Sequence, residues 1–239
     1  MQHRHEFSIV AVILVFVAGS IVRSAEASHM YWASSIDGTP DSEILRANLD
    51  GSGVTLITDS ANHKVRDVAL DLVNGHIYYT NEDVVPAFGH DIIRRDLDGS
   101  NPVLLLTGMP DIPEGIALDV PNGHMYWASS IDGTPDSEIL RANLDGSGVT
   151  LITDSANHKV RDVALDLVNG HIYYTNEDVV PAFGHDIIRR DLDGSNPVLL
   201  LTGMPDIPEG IAIVPEPSSI ILAAFGVVAL GTWRWRRKR

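Results

Sequence analysis

The residues whose types could support chemistry are charged side chains that open two alternating apolar segments. Arg66 and Asp67 open the segment RDVALDL, and Glu114 opens the segment EGIALDV. RDVALDL recurs 95 residues later from Arg161, and EGIA recurs from Glu209, so the full set is Arg66, Asp67, Glu114, Arg161, Asp162 and Glu209. Hard divalent cations prefer carboxylate oxygens, so carboxylates grouped at strand ends could hold one. Arg–Asp pairing at strand ends is the alternative explanation of the same pattern.

Other motifs give this chemistry no further support. His63 and His158 precede the Arg-Asp pairs, but the sequence has no His-x-x-x-His or His-Glu-x-x-His spacing. The segment Asp96-x-Asp98-Gly99-Ser100-Asn101 looks faintly like a calcium loop, yet it lacks the full EF-hand spacing. We interpret it as a hairpin turn, because Asp-Gly is a strong turn signal. The metal remains unknown, no cofactor is predicted, and nucleotide or nucleophilic-elbow motifs are missing.

These residues belong to a repeated chain. The stretch from His29 to Ala117 returns without a substitution from His124 to Ala212. Each copy contains two diverged halves, since Met30-Tyr31-Trp32 corresponds to Ile77-Tyr78-Tyr79. A unit of about 47 residues therefore occurs four times, and a period of this length indicates a propeller, a solenoid or an array. Identical copies favour a repeated or twofold binding surface over one asymmetric active site.

Four short β-strands are predicted in each complete unit. Arg66–Leu72 alternates, and Asn74-Gly75 then gives a hairpin signal before the β-rich run His76–Asn81. The runs Asp91–Leu97 and Pro102–Thr107 complete the unit. No helical apolar period appears before the C-terminal tail, so the sequence predicts an all-β chain of four-stranded meanders.

The pattern P-x-G-I-A-L-D-x-x-x-G-x-x-Y-W, then I-x-R-A-N-L-D-G-S, resembles the YWTD repeat, or low-density-lipoprotein-receptor class B repeat. It runs from Pro113 to Ile152 and, more weakly, from Val65 to Leu106. The resemblance spans His29–Ile213 and implies a β-propeller with one four-stranded blade per repeat and aromatic side chains in the blade core. The Thr-Asp of the family motif is Ala33-Ser34 or Thr80-Asn81 here, so the aspartate that usually ties adjacent blades is missing.

The tally of strands predicts four blades between residues 28 and 213. The first unit lacks its innermost strand, and an extra innermost-type strand, Glu209–Ile213, follows the last unit. We expect this strand to complete the first blade and close the ring, because closure removes exposed sheet edges. The alternative is an open fragment that completes a larger ring with a second chain.

Charge and cysteine content restrict the partners. The chain has a net charge of −15 and no cysteine, and the repeats alone carry 10 basic and 29 acidic residues. Such a surface repels phosphate backbones, so nucleic acid is not an expected partner. Cations, basic partners and neutral glycans remain compatible with it.

Both ends of the chain resemble targeting segments. Residues 1–27 have a polar start, a short apolar run and an Ala25-Glu26-Ala27 cleavage signal, as in a signal peptide. Residues 214–239 begin with Val214, Pro215, Glu216 and Pro217, continue with an apolar run at 220–233 that we expect to be a transmembrane helix, and end in basic residues. This order resembles the bacterial PEP-CTERM sorting signal, which implies recognition by an exosortase-type enzyme. The tail would hold the chain in the membrane before processing.

These features predict an exported protein of the cell envelope, cell surface or extracellular matrix. The expected role is a non-enzymatic binding or structural module for an extracellular protein or polysaccharide. The alternative is a divalent-metal-dependent hydrolase or lactonase with its site in the propeller channel.

Overall fold

The computed structural model describes residues 29–35, 39, 41–61, 63–83, 89–131, 134, 136–155, 158–178 and 185–214. The predicted signal peptide (1–27) and the predicted transmembrane segment (220–233) lie outside these residues. Within the described part, no helix is both long and apolar enough to cross a membrane.

The described residues form fifteen β-strands and a short 3₁₀ turn, Val120–Asn122, so the predicted all-β class is confirmed. The strands are β1 (His29–Ser35), β2 (Ser42–Asn48), β3 (Thr55–Ser60), β4 (His63–Asp71), β5 (His76–Asp83), β6 (His90–Asp96), β7 (Val103–Met109), β8 (Ile112–Asp119), β9 (His124–Ser130), β10 (Ser137–Asn143), β11 (Thr150–Ser155), β12 (His158–Asp166), β13 (His171–Asp178), β14 (His185–Asp191) and β15 (Val198–Met204).

The strands form four antiparallel sheets in chain order. The first sheet contains β1–β3, the second β4–β7, the third β8–β11 and the fourth β12–β15. Consecutive strands are hydrogen-bonded neighbours in every sheet. The predicted three-stranded first sheet and the three four-stranded sheets are thus confirmed.

The Asn-Gly hairpin of the second sheet shows how local sequence sets the register. Asp71 pairs with His76 across the turn, and the Gly75 amide donates to the Asp71 carbonyl at 2.9 Å. The Asp71 carboxylate also accepts hydrogen bonds from the amides of Val73 (3.1 Å) and Asn74 (2.9 Å). Gly75 has a φ of 74°, a left-handed conformation that glycine adopts without steric cost.

The hydrophobic core lies in three layers between consecutive sheets. Each layer joins residues of one sheet to those of the next, as Tyr78 of the second sheet packs with Trp127 of the third. The predicted core role of the aromatic residues is confirmed for those exposed by 2% or less, namely Tyr78, Tyr79, Tyr126, Trp127 and Tyr174. Aromatic side chains of this size dominate the burial energy of a core.

Close backbone contact accompanies each layer at the turn before the last strand of a sheet. A Cβ added to Gly146 would lie 2.3 Å from the carbonyl oxygen of Leu105 in the preceding sheet. Gly99 and Gly194 make the same approach to the preceding sheet at 2.1 and 2.0 Å. Gly51 of the first sheet has the same local sequence as Gly146, but nothing lies within 4 Å of its added Cβ. We call this arrangement of turn glycine, outer strand and core layer the inter-sheet joint.

The predicted closing strand, Glu209–Ile213, is wrong. Residues 205–214 have no strand assignment, and the described part of β1 is hydrogen-bonded to β2 alone. The first sheet packs on the second, the second on the third and the third on the fourth, which gives an open arc in this structure. A strand at 209–213 needs an aromatic strand beside it, as β8 has β9, and β1 lies at the other end of the arc.

Candidate functional site

All six predicted channel residues line one cavity of about 280 Å³. Its lining consists of Arg66, Asp67, Glu114, Gly115, Arg161, Asp162, Glu209 and Gly210. They come from the first halves of the inner strands β4, β8 and β12, two to four residues after each strand begins, and from the segment after β15. Each copy of the repeat therefore contributes one Arg-Asp pair and one Glu-Gly pair to the same cavity.

Glu114 lies between the two arginines. Its Oε2 is 3.9 Å from Arg66 Nε, and its Oε1 is 3.8 Å from Arg161 Nη1. Ser130 Oγ donates a hydrogen bond to Oε1 at 3.1 Å. Glu114 is 8% exposed, and these polar partners compensate for the burial of its carboxyl group.

Each arginine has a second acidic partner on the adjacent strand. Arg66 Nη2 contacts Glu82 Oε2. Arg161 donates to Glu177 Oε2 from both Nε (2.8 Å) and Nη2 (2.5 Å). The charges thus alternate along one row in the order Glu82, Arg66, Glu114, Arg161 and Glu177. Two guanidinium groups face six carboxyl groups in and beside the cavity, which gives the site an acidic balance.

Sequence analysis missed Glu82 and Glu177, although a usable signal exists. Counting back along the hairpin from the Asn74-Gly75 turn places Glu82 opposite Val65, next to Arg66, and in the structure a bulge between Val65 and Asp67 moves the partner of Glu82 to Lys64. Hairpin register fixed by a two-residue turn signal can therefore identify such cross-strand charge partners.

Asp67 ties the second sheet to the third. Its Oδ2 accepts a hydrogen bond from the Ile116 amide at 2.8 Å, and its Oδ1 accepts one from the Val68 amide at 2.8 Å. The Asp67 amide donates to Thr80 Oγ1 at 3.1 Å, and Thr80 Oγ1 donates to the Glu114 carbonyl at 2.8 Å. Asp67 and Thr80 thus join the second sheet to the third through hydrogen bonds to the backbone of β8.

The second copy repeats this tie at the end of the arc. Asp162 Oδ2 accepts from the Ile211 amide at 2.7 Å, and its amide donates to Thr175 Oγ1 at 3.1 Å. The segment around Ile211 therefore docks on the fourth sheet as β8 docks on the second. This hydrogen bond holds Glu209 at the cavity, but Glu209 is exposed where its copy Glu114 is buried.

Burial governs the titration of the two aspartates. It raises the pKa of Asp67 to about 6, and the negative charge of Asp162 adds to the increase while the amides of Ile116 and Val68 oppose it. Burial likewise raises the pKa of Asp162, against the hydrogen bonds from Ile211 and Val163. Deprotonating these two carboxyls in the folded protein therefore costs more than in the unfolded chain.

The described acidic and histidine side chains are not grouped as metal ligands. Among the described residues, no group of three or more His, Asp or Glu side chains is arranged to hold a metal ion. His63 opens β4 and His158 opens β12, where neither lines the cavity. His63 Nδ1 lies 3.9 Å from Asp83 Oδ1.

The Asp-Gly-Ser segment forms the predicted turn. Asp98 Oδ1 accepts from the Ser100 amide at 2.8 Å and from Ser100 Oγ at 2.6 Å, and these hydrogen bonds lower the pKa of Asp98. Asp96 Oδ2 accepts from Asn101 Nδ2 at 2.7 Å. Both acids are thus used within the turn, which agrees with the hairpin interpretation.

The predicted sorting motif begins at the end of the described chain. Val214 is described and is 89% exposed. Pro215, Glu216 and Pro217 lie outside the described residues.

The C-terminal segment matches a known motif. Residues 214–238 match the model of the PEP-CTERM protein-sorting motif, which confirms that part of the predicted resemblance. This motif indicates an exported protein that an exosortase sorts to the cell surface or extracellular space. No curated protein matches the whole sequence significantly.

Solved structures share the fold of the repeats. A chain of the crystal structure of a nidogen/laminin complex matches with a TM-score of 0.61 and 24% identity, over 76% of this chain and 64% of that chain. The putative TolB of Agrobacterium tumefaciens matches with a TM-score of 0.59 and 20% identity, over 77% of this chain and 65% of that chain. TolB from Acinetobacter baumannii matches with a TM-score of 0.57 and 14% identity, over 80% of this chain and 46% of that chain.

The chain thus spans less than two thirds of each of these structures. At identities below 25% the likeness establishes the fold alone. With four antiparallel sheets packed in chain order, this chain has a β-propeller-type fold that carries a PEP-CTERM sorting motif at its C-terminal end.

Proposed function

We propose that this protein is a non-enzymatic binding or structural module, placed by an exosortase at the cell surface or in the extracellular matrix. The observation that carries the proposal is the PEP-CTERM motif at residues 214–238, joined to a β-propeller-type domain. Propellers present a repeated, rigid surface on which partners bind without any chemistry.

The state of the cavity supports binding over catalysis. Asp67 and Asp162 accept backbone hydrogen bonds from the neighbouring strand or segment, and Glu114 lies between two arginines. These groups serve the assembly of the sheets, whereas a general acid or base needs a proton path to a bound substrate. Among the four acids that line the cavity, Glu209 is the one that is exposed to solvent.

The charge of the repeats sets the chemical class of the partner. Their 29 acidic and 10 basic residues attract cationic groups and tolerate neutral, hydroxyl-rich polymers. We therefore infer that the partner is a basic segment of an extracellular protein or a neutral polysaccharide.

Sorting is tested by replacing Pro215 and Pro217 with alanine in the full-length chain. If an exosortase recognises the motif, the variant accumulates in the membrane fraction and disappears from the surface and the medium. The matched control replaces Pro102 and Pro197, two exposed loop prolines that are copies of each other. An unchanged distribution of the motif variant would refute the sorting proposal.

Binding is tested separately with charged and neutral probes of defined chemistry. We expect oligolysine and a neutral oligosaccharide to compete with the natural partner for release of the surface-held protein, and oligoglutamate to have no effect. Release by oligoglutamate alone would contradict the inferred partner class while leaving the sorting result intact.

A further inference from the structure

The two ends of the open arc expose faces that the chain buries elsewhere. Residues 124–212 repeat residues 29–117 without a substitution. The fourth sheet (β12–β15) is therefore a copy of the second, and the first sheet (β1–β3) is a copy of strands β9–β11 of the third. The second and third sheets form an inter-sheet joint, so the free faces of the fourth and first sheets carry the residues of that same joint.

The joint between the second and third sheets is well defined. Tyr78 Oη donates to the Leu144 carbonyl at 3.4 Å, and Thr80 Oγ1 donates to the Glu114 carbonyl at 2.8 Å. Met125 is fully buried in its core layer. The backbone at Gly146 lies against Leu105 so closely that a Cβ would be 2.3 Å from the Leu105 carbonyl oxygen.

The copies of Met125, Leu144 and Leu105 at the two ends of the arc are exposed, whereas Thr175, the copy of Thr80, stays buried. Met30, the copy of Met125, is 38% exposed, whereas Met125 is 0% exposed. Leu49, the copy of Leu144, is 67% exposed, and Leu200, the copy of Leu105, is 43% exposed. Because the copies are identical in sequence, the difference comes from missing neighbours, namely the adjacent sheet and, for Met30, the inner strand that pairs with Met125 in the other copy. Each face is an apolar surface, and the joint between the second and third sheets shows which residues cover the same surface inside the chain.

The segment that would supply the inner strand of the missing sheet is held in place by one hydrogen bond of the internal joint. The Ile211 amide donates to Asp162 Oδ2 at 2.7 Å, as the Ile116 amide donates to Asp67 Oδ2 at 2.8 Å. In the internal joint, Ile116 then pairs with Trp127, and Leu118 pairs with Met125. The aromatic strand that would pair with the segment around Ile211 is missing from its side in the described chain.

We propose that a second copy of this chain supplies that strand, so that the protein associates head to tail. The first sheet of one copy docks on the fourth sheet of the other, and β1 pairs with residues 207–214. The internal register predicts the partners Ile211 with Trp32 and Ile213 with Met30 of the second copy. Such a heterologous contact repeats until it closes, and two copies supply eight sheets, within the range of known propellers.

Residues 207–214 could pair with β1 of the same chain in the same register. The contacts at the two ends of the arc distinguish this intramolecular closure from association with a second copy. In an intramolecular closure, Gly51 would approach Leu200 as Gly146 approaches Leu105. Nothing lies within 4 Å of the Gly51 Cβ position, and Leu200 is exposed. The ends of one chain therefore do not meet in this structure, and the second copy is the partner that fits.

Cysteine crosslinking tests the register directly, because the chain has no cysteine of its own. Two differently tagged full-length chains, Met30→Cys and Ile213→Cys, are mixed in mild detergent and oxidised. We expect an intermolecular disulfide that joins the two tags, since directly paired strand residues lie within disulfide reach. The chain Leu118→Cys/Met125→Cys, the internal copy of this pair, is the positive control and forms its disulfide within one chain.

The outcomes of this experiment are distinct. A mixed-tag dimer from Met30→Cys and Ile213→Cys, with none from Met30→Cys and the exposed-turn variant Val73→Cys, supports head-to-tail docking. An intramolecular disulfide in the double variant Met30→Cys/Ile213→Cys at high dilution would show a closed single chain and overturn the proposal. No disulfide in either case, while the positive control oxidises, would overturn it as well.

A glycine pair tests the same interface without crosslinking. Asparagine tolerates the left-handed conformation, so Gly51→Asn and Gly75→Asn carry similar backbone costs. Both positions are open in the single chain, but only Gly51 would lie in the proposed interface, against Leu200 of the second copy. We expect Gly51→Asn to weaken association at least roughly tenfold in light scattering, and Gly75→Asn to leave it unchanged. A monomeric wild-type chain, or equal association of both variants, would refute the proposal.

Discussion

The inter-sheet joint predicts that Gly146→Ala destabilises the protein beyond the cost of the backbone conformation. Gly146 has a φ of 86°, where an L-residue costs about 1–2 kcal/mol. A Cβ there would also lie 2.3 Å from the Leu105 carbonyl oxygen, and the third sheet would have to move away from the second. Overpacking of this kind costs about 1–3 kcal/mol more.

The variant Gly75→Ala measures the cost of the backbone conformation without the steric contact. Gly75 has a φ of 74°, and no atom lies within 4 Å of its added Cβ. Urea unfolding of both variants, followed by tryptophan fluorescence, should therefore place Gly146→Ala about 1–3 kcal/mol below Gly75→Ala. Equal losses for the two variants would mean that the sheets do not approach each other at this turn, and the joint as described would be incorrect.

Two further perturbations test the tie between the second and third sheets. The Asp67 carboxyl has a pKa of about 6 in the folded chain against an ordinary value of 3.8, so the folded protein binds more protons between these values and loses up to about 3 kcal/mol of stability as the pH rises from 4 to 7. Asp67→Asn should remove that part of the slope in urea unfolding at pH 4.5 and 7.5, and an unchanged slope would contradict the assignment. Thr80→Val removes a hydroxyl that bonds both Asp67 and Glu114, and should cost about 2–3 kcal/mol in the same assay. The exposed Thr107→Val should stay within about 0.5 kcal/mol of the wild type, and equal effects of the two threonine variants would argue against the tie.

Local signals in the sequence were sufficient for the strands and their sheets. The Asn74-Gly75 and Asp98-Gly99 pairs fix hairpins whose register follows from the turn itself, so β5 and β6 could be placed within two residues. The grouping of the six channel residues also followed, because inner strands of stacked sheets begin at the same place.

The closing strand could not be obtained in this way. Glu209–Ile213 has nearly the same sequence as residues 114–118 of β8. A β-strand also requires a hydrogen-bonded neighbour, however, and the position of β1 relative to this segment depends on the curvature of the whole arc. The role of Asp67 was missed for a similar reason, since its carboxylate meets the amide of Ile116 only after two sheets have packed. The packing between strands and sheets sets which distant residues meet, and the local strand propensity of a segment does not predict it.

The identity of the two copies also has a consequence for folding. β1 and β9 have the same sequence, as do β2 and β10, so side-chain energies do not distinguish the native hairpin β1–β2 from a misassembled pair β1–β10. Chain connectivity does distinguish them, because residues 36–41 close the native hairpin, whereas residues 36–136 would have to close the other. A loop about seventeen times longer costs about 2.5 kcal/mol more in entropy. An exported chain that emerges from its N-terminal end gains further protection, since the first copy can complete its strand pairs before the competing strands of the second copy appear.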